Sequence, residues 1–212
     1  FDEESIEILE SIGIEFYKVA SFDVANESLL KALAETGKPV MMSIGMADLP
    51  DIRRAYEILS AGEKRGLGLL HCVSAYPVEP EYANLRAIKT LAESFDYSIG
   101  YSDHTNDNTA CIVSISLGAK VIEKHFTLDK KMPGPDQSSS YEPKEFSELV
   151  KRIRDAEKIL GSKYKEPCEI EKKNAVGMRR SIVAKQNIKE HTILTEEMLT
   201  LKRPSTGISP IY

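Results

Sequence analysis

The chain has 212 residues, 42% hydrophobic and 29% charged, with a formal net charge of -5. That length holds one sizeable core, or one large and one small domain, and an acidic balance without a long basic run argues against a general nucleic-acid binder. No apolar stretch is long enough for a membrane span; Cys72, Cys111 and Cys168 are too widely spaced for a disulfide framework or a zinc ribbon, and a reducing cytoplasm is the expectation.

The chain opens Phe1-Asp2-Glu3-Glu4, and Asp2 reads as a helix N-cap. It starts as if a strand had been cut away before it, so a piece of a longer protein is expected. Amphipathic spacing predicts a helix over 5–12, and an apolar run predicts a strand over 16–21. The rhythm repeats: helix 27–35 closed by Gly37, strand 40–44 followed by Gly45, helix 49–60, strand 67–74 and helix 84–95. Strand 97–102, helix 109–117, strand 121–126 and a long helix 143–160 ended by Gly161 complete it.

Strands that are apolar on both faces and alternate with helices imply parallel pairing with covered faces, an α/β fold. A doubly wound sheet and a barrel both satisfy this. No GxGxxG turn follows any strand. Polar residues recur at the strand ends: Lys18 and Ser21, Ser43, His71 and Ser74, Ser102 to His104, Glu123 and His125. In a TIM-type (β/α)8 barrel those ends meet at one mouth, so a partial barrel over 1–161 is predicted, its missing strands preceding Phe1. Residues 162–178 are polar and Lys/Glu-rich and read as a linker. Residues 179–212 read as a small β-rich domain, with strands at 181–184 and 199–202, Ile193 on a short strand, and Thr195 capping a turn through Met198.

His104 and His125 are the first candidates for chemistry. Imidazole is the commonest transition-metal ligand, and two neutral rings on adjacent strand ends could share an ion. Each could equally hydrogen-bond within a packed loop, and the pattern does not separate these. Glu123 alternates with His125 and is expected to face the interior, or to pair with a barrel lysine. Lys18 and Ser21, with Ser43, Ser74 and Ser102, suit an anion's oxygens; a solvated rim is the alternative. Asp136 follows a Pro/Gly-restrained stretch, as a substrate ligand or as a turn residue. Cys72, Cys111, Met41, Met42 and Met46 are expected to be packing residues.

Several strings then match in order: FYKVAS (16–21), SIGM (43–46), LHCVSAYP (70–77), GYSDHT (100–105), VIEKHFTLD (121–129) and PGPD (133–136). With RRSIVA (179–184) and KRP (202–204), the whole chain resembles the sialic acid synthase family, including its C-terminal antifreeze-like (SAF) domain. The resemblance implies condensation of phosphoenolpyruvate with an N-acyl hexosamine, N-acetylmannosamine first, giving a sialic acid and phosphate. It implies a divalent metal, Mn2+ first with Mg2+ or Co2+ as alternatives, on the residues matching His104 and His125. Lys18, Ser21, Ser43 and Ser102 match phosphoenolpyruvate-binding positions, and Ser74 a carboxylate-contacting one. Asp23, Tyr76 and Asp136 match sugar-side positions. Arg203 matches an arginine delivered to the partner's barrel, which implies a domain-swapped homodimer. Ile44, Gln137 and Thr206 depart from the family's frequent residues and put the sugar in doubt. Legionaminic and pseudaminic acid synthases are the nearest rivals, although pseudaminic synthases tend to carry Leu at the place of Tyr101. A non-catalytic SAF-bearing sugar-binding protein would not need the paired histidines, and an aldolase would form a Schiff base at Lys18.

Overall fold

The computed structural model describes residues 2–61 and 66–211. Two compact units divide at Gly161 and Ser162. In the first, five strands pair in sequence order: β1 (Tyr17–Val19), β2 (Val40–Ser43), β3 (Leu67–His71), β4 (Ser98–Asp103) and β5 (Ile122–Lys124). Every neighbouring pair is parallel. Helix α1 (Glu3–Ser11) precedes β1; α2 (Glu27–Glu35), α3 (Leu49–Ser60), α4 (Ala87–Ser94) and α5 (Thr109–Ser116) connect the strands; and α6 (Pro143–Leu160) follows β5. This is the predicted α/β architecture, the curled parallel sheet of a partial TIM-type barrel.

Local chemistry sets the helix ends. Asp2 accepts the Ser5 N–H at 2.7 Å to start α1, and Asn26 accepts the Leu29 N–H at 3.3 Å to start α2. Asp48 and Asp51 form a reciprocal capping box before α3. Gly161, at φ 54°, ends α6 in a conformation that a side chain disfavours. The helix-facing core gathers Val19, Met42, Leu69, Leu30 and Ile88, each 0–1% exposed.

Strand alternation sorts the side chains. Tyr17, Val19, Met42, Leu69, Ile99 and Tyr101 join the helix-facing core. Lys18, Ser43, Ser102 and Glu123 meet one another on the opposite, concave face. His71 and Asp103 depart from the expectation that every polar strand end faces the mouth. His71 Nε2 lies 2.9 Å from the Ala83 carbonyl and its ring stacks on Tyr101 at 5.9 Å. Asp103 bonds Tyr101, Cys111 and Lys124 on that same side.

The second unit holds α7 (Glu169–Met178) and an antiparallel pair, β6 (Ser181–Ala184) with β7 (Leu199–Lys202). Helix α7 lies within the stretch read as a linker, started where the Cys168 N–H donates to Glu171 Oε2 at 2.9 Å. Ile193 is in no strand, and it is 87% exposed with no ladder partner among the described residues. Met46 is not a packing residue either: it is 73% exposed, at φ 66° in the turn after β2.

Candidate active site

Four side chains are linked in a polar network on the concave face. Lys18 Nζ donates to Ser43 Oγ at 2.8 Å and lies 3.4 Å from Glu123 Oε2. Ser102 Oγ donates to Glu123 Oε1 at 2.7 Å. Ser102 and Glu123 are register partners on β4 and β5, so the ladder itself brings them together. Glu123 therefore pairs with a barrel lysine, one of the two roles its position allowed. The network offers an incoming anion one ammonium and two hydroxyls, with a carboxylate to which a proton can be passed.

Beside it lies a tight pocket of small groups. The Gly45 N–H donates to Ser21 Oγ at 3.0 Å, and Ser21 Oγ is 3.1 Å from Cys72 Sγ. A Cβ on Gly45 would lie 3.0 Å from both atoms and would collide with Ser74 Oγ. Only glycine leaves this cradle open. The hydroxyls of Ser21 and Ser74 thus converge around Gly45, although their positions alone did not single out Gly45 or the Cys72 contact.

The histidines form the next group. The rings of His104 and His125 meet edge-on, centroids 5.2 Å apart. The Tyr76 ring lies 4.3 Å from His104 and 5.5 Å from His125. His104 Nδ1 is 2.8 Å from the Val73 carbonyl. A carbonyl only accepts, so Nδ1 carries the proton and Nε2 keeps its lone pair. Burial pushes the His104 pKa below the usual imidazole value, opposed by the bond to Val73 and reinforced by His125, which favours a neutral ring able to act as a ligand. His125 Nδ1 lies 3.7 Å from Asp136 Oδ2. With the Nε2 lone pair of His104 free, the two imidazoles are a donor set suited to a divalent cation. No group of three or more His, Cys, Asp or Glu side chains suited to a metal occurs among the described residues.

Asp23 stands apart, in a short 3-10 turn after β1. Its Oδ1 accepts from Asn26 Nδ2 at 3.1 Å, while the buried Oδ2 has no partner among the described residues and remains an unused acceptor. Arg203 belongs to the second unit and is exposed there. Cys111 differs from a plain apolar filler: its thiol donates to Asp103 Oδ2 at 3.1 Å, and burial pushes its pKa up.

A parallel α/β half-barrel with its polar groups gathered at the strand C-termini defines the class of (β/α)-barrel enzymes that bind substrate at the mouth. The NeuB family model matches residues 1–165, and the chain belongs to that family of sialic-acid-type synthases. It is 47% identical over 211 residues to Uncharacterized protein MJ1065 of Methanocaldococcus jannaschii, covering 100% of this chain and 63% of that one. It is 40% identical over 211 residues to the N,N'-diacetyllegionaminic acid synthase of Campylobacter jejuni, covering 99% of this chain and 63% of that protein. The crystal structure of N-acetylneuraminic acid (sialic acid) synthetase from Leptospira borgpetersenii in complex with citrate is similar at 40% identity and a TM-score of 0.77, over 82% of this chain and 61% of that one. The chain thus spans less than two thirds of the length of these relatives.

Proposed function

We propose that the chain is part of a synthase that condenses phosphoenolpyruvate with an N-acyl hexosamine, giving a sialic-type acid and phosphate. The observation that carries this reading is the juxtaposition of an anion-binding polar network with two imidazoles whose rings lie 5.2 Å apart on one concave face. Lys18, Ser43 and Ser102 hold the phosphate or carboxylate oxygens, and Ser21 and Ser74 line the Gly45 cradle beside them. Tyr76 packs a sugar against the histidines, and Asp136 accepts its hydroxyls.

The new bond joins the methylene carbon of phosphoenolpyruvate to the sugar aldehyde carbon. Water adds to the enol-derived carbon, and phosphate leaves. A divalent cation on His104 and His125, Mn2+ first, supplies Lewis-acid polarisation of the aldehyde when bound. Glu123 is placed to hold or pass a proton between Ser102 and Lys18. Residues 179–212 are read as part of an SAF-type domain whose Arg203 serves the partner subunit's barrel in a domain-swapped homodimer.

The sugar is read as N-acetylmannosamine, with the precursors of legionaminic and pseudaminic acids as alternatives, since relatives named for all three products lie at 37–40% identity. The test is phosphate release from phosphoenolpyruvate by the complete gene product, run against a panel of N-acyl hexosamines with and without Mn2+. Sugar-dependent release that chelator abolishes and Mn2+ restores is expected. No release with any sugar would end this reading, and a sugar-binding protein without turnover would replace it.

A further inference from the structure

We propose that Asp103 and Lys124 are positioning residues that fix the spacing of His104 and His125 from the helix-facing side of the sheet. The inference rests on the metal-assisted reading above. Asp103 and Lys124 are register partners on β4 and β5, and each immediately precedes one of the histidines. Their side chains are 0% and 1% exposed, with Lys124 Nζ 2.7 Å from Asp103 Oδ2. Alternation turns this pair away from the substrate face while the histidines turn toward it.

The pair ties together every segment that carries the histidines. Asp103 Oδ1 accepts the Tyr101 hydroxyl at 3.0 Å and the Thr105 N–H at 2.9 Å. The backbone just after His104 is therefore pinned to the carboxylate of the residue just before it. Lys124 Nζ also donates to the Thr105 carbonyl and lies 4.3 Å above the Tyr141 ring. Tyr141 returns the connection to His125: its N–H donates to the His125 carbonyl at 2.8 Å, and its carbonyl accepts the Thr127 N–H at 3.0 Å. The adjoining Ser140 hydroxyl donates to the Asp136 carbonyl at 2.8 Å, so the Asp136 loop hangs from the same anchor. A dry ion pair is a poor source of net stability, because apolar replacements of both partners are often neutral. It holds the Thr105 backbone beside His104 directly and the His125 carbonyl through Tyr141, and this gives it a positional role instead.

The complete gene product is compared with Lys124→Met, Asp103→Asn and the double variant. Mn2+ binding is followed by the electron paramagnetic resonance signal of the free ion, and stability by the urea midpoint. Each single variant leaves one buried group without its partner, so both readouts fall. The double variant recovers the parent's urea midpoint, yet Mn2+ binding stays weaker by about 10–100-fold, the size of effect expected when the groups that orient metal ligands are lost. If a single variant does not fold, the double variant still gives the comparison. Binding that recovers along with stability overturns the inference, as does binding unchanged in all the variants. A double variant that stays both unstable and weak assigns the pair to folding alone and also overturns it. A parent protein that binds no Mn2+ fails the proposed function itself, and this inference falls with it.

Discussion

His71 and Cys72 are neighbours at the end of β3, and alternation sends them to opposite sides of the sheet. Cys72 reaches Ser21 in the candidate site, whereas His71 is buried against Tyr101 and the Ala83 carbonyl. Burial pushes the His71 pKa below the usual imidazole value, opposed by its bond to the Ala83 carbonyl. The folded chain therefore binds this proton less readily than the unfolded chain. Above the unfolded value of about 6.5 both states are neutral and the full stability is present. As pH falls through that value toward the lower folded one, the unfolded state takes up more protons and stability is lost. A urea midpoint measured at pH 7.5 and again at pH 5.5 is expected to drop. His71→Gln keeps an N–H for the Ala83 carbonyl but has nothing to titrate in this range, so its drop should be smaller. It should not vanish, because His104 is also depressed and adds a slope of the same sign. An equal drop in parent and variant would remove His71 from the account.

Two glycines on the concave face, Gly68 of β3 and Gly100 of β4, separate by what surrounds them. A Cβ on Gly100 would lie 2.5 Å from Leu70 Cδ2 and 2.6 Å from the Val121 carbonyl oxygen, and backbone cannot step aside cheaply. A Cβ on Gly68 meets nothing nearer than 3.7 Å. Gly100→Ala should cost about 1–3 kcal/mol of overpacking, and it should impair turnover because Ser102 and His104 continue the same strand. Gly68→Ala should leave both nearly intact. Denaturant unfolding of the two variants checks this, and equal midpoints would contradict it. Neither outcome is legible in the sequence, since the neighbours come from β3 and from the approach to β5. What was legible follows the chemistry of the ends. Helices 27–35, 49–60 and 143–160 carry local caps or a terminal glycine, and their bounds agree with the structure. Strands 16–21 and 121–126 were read too long, because β1 and β5 each have a single ladder partner and pairing stops early. Helix α7 buries no residue, so no apolar stripe announced it. In the site, residue types pointed to the strand ends, but only parity and register show that Ser102 meets Glu123 while Asp103 turns away to Lys124.

At the scale of the molecule, the five strands of the first unit leave β1 and β5 as open edges among the described residues. A closed (β/α)-barrel of this type has about eight strands and no edge. An edge strand presents unpaired N–H and C=O groups, a template for pairing with another chain. Next to β1 the edge is also apolar: a cavity of about 640 Å³ is lined by Ile6, Leu9, Phe16, Val19 and Leu33 among others, and Phe16 is 53% exposed. Past β5, Phe126 is 52% exposed. The candidate site bridges the two open edges, because Lys18 stands on one edge strand and Glu123 on the other, 3.4 Å apart across the concave face. A polypeptide of these 212 residues expressed alone should therefore self-associate and give no measurable sugar-dependent phosphate release. Supplying the strands that complete the barrel should restore a discrete oligomer and turnover together. Light scattering coupled to size exclusion reads the first property and the phosphate assay reads the second. A discrete, active species from the 212 residues alone would show that the half-barrel holds its own edges and its own site.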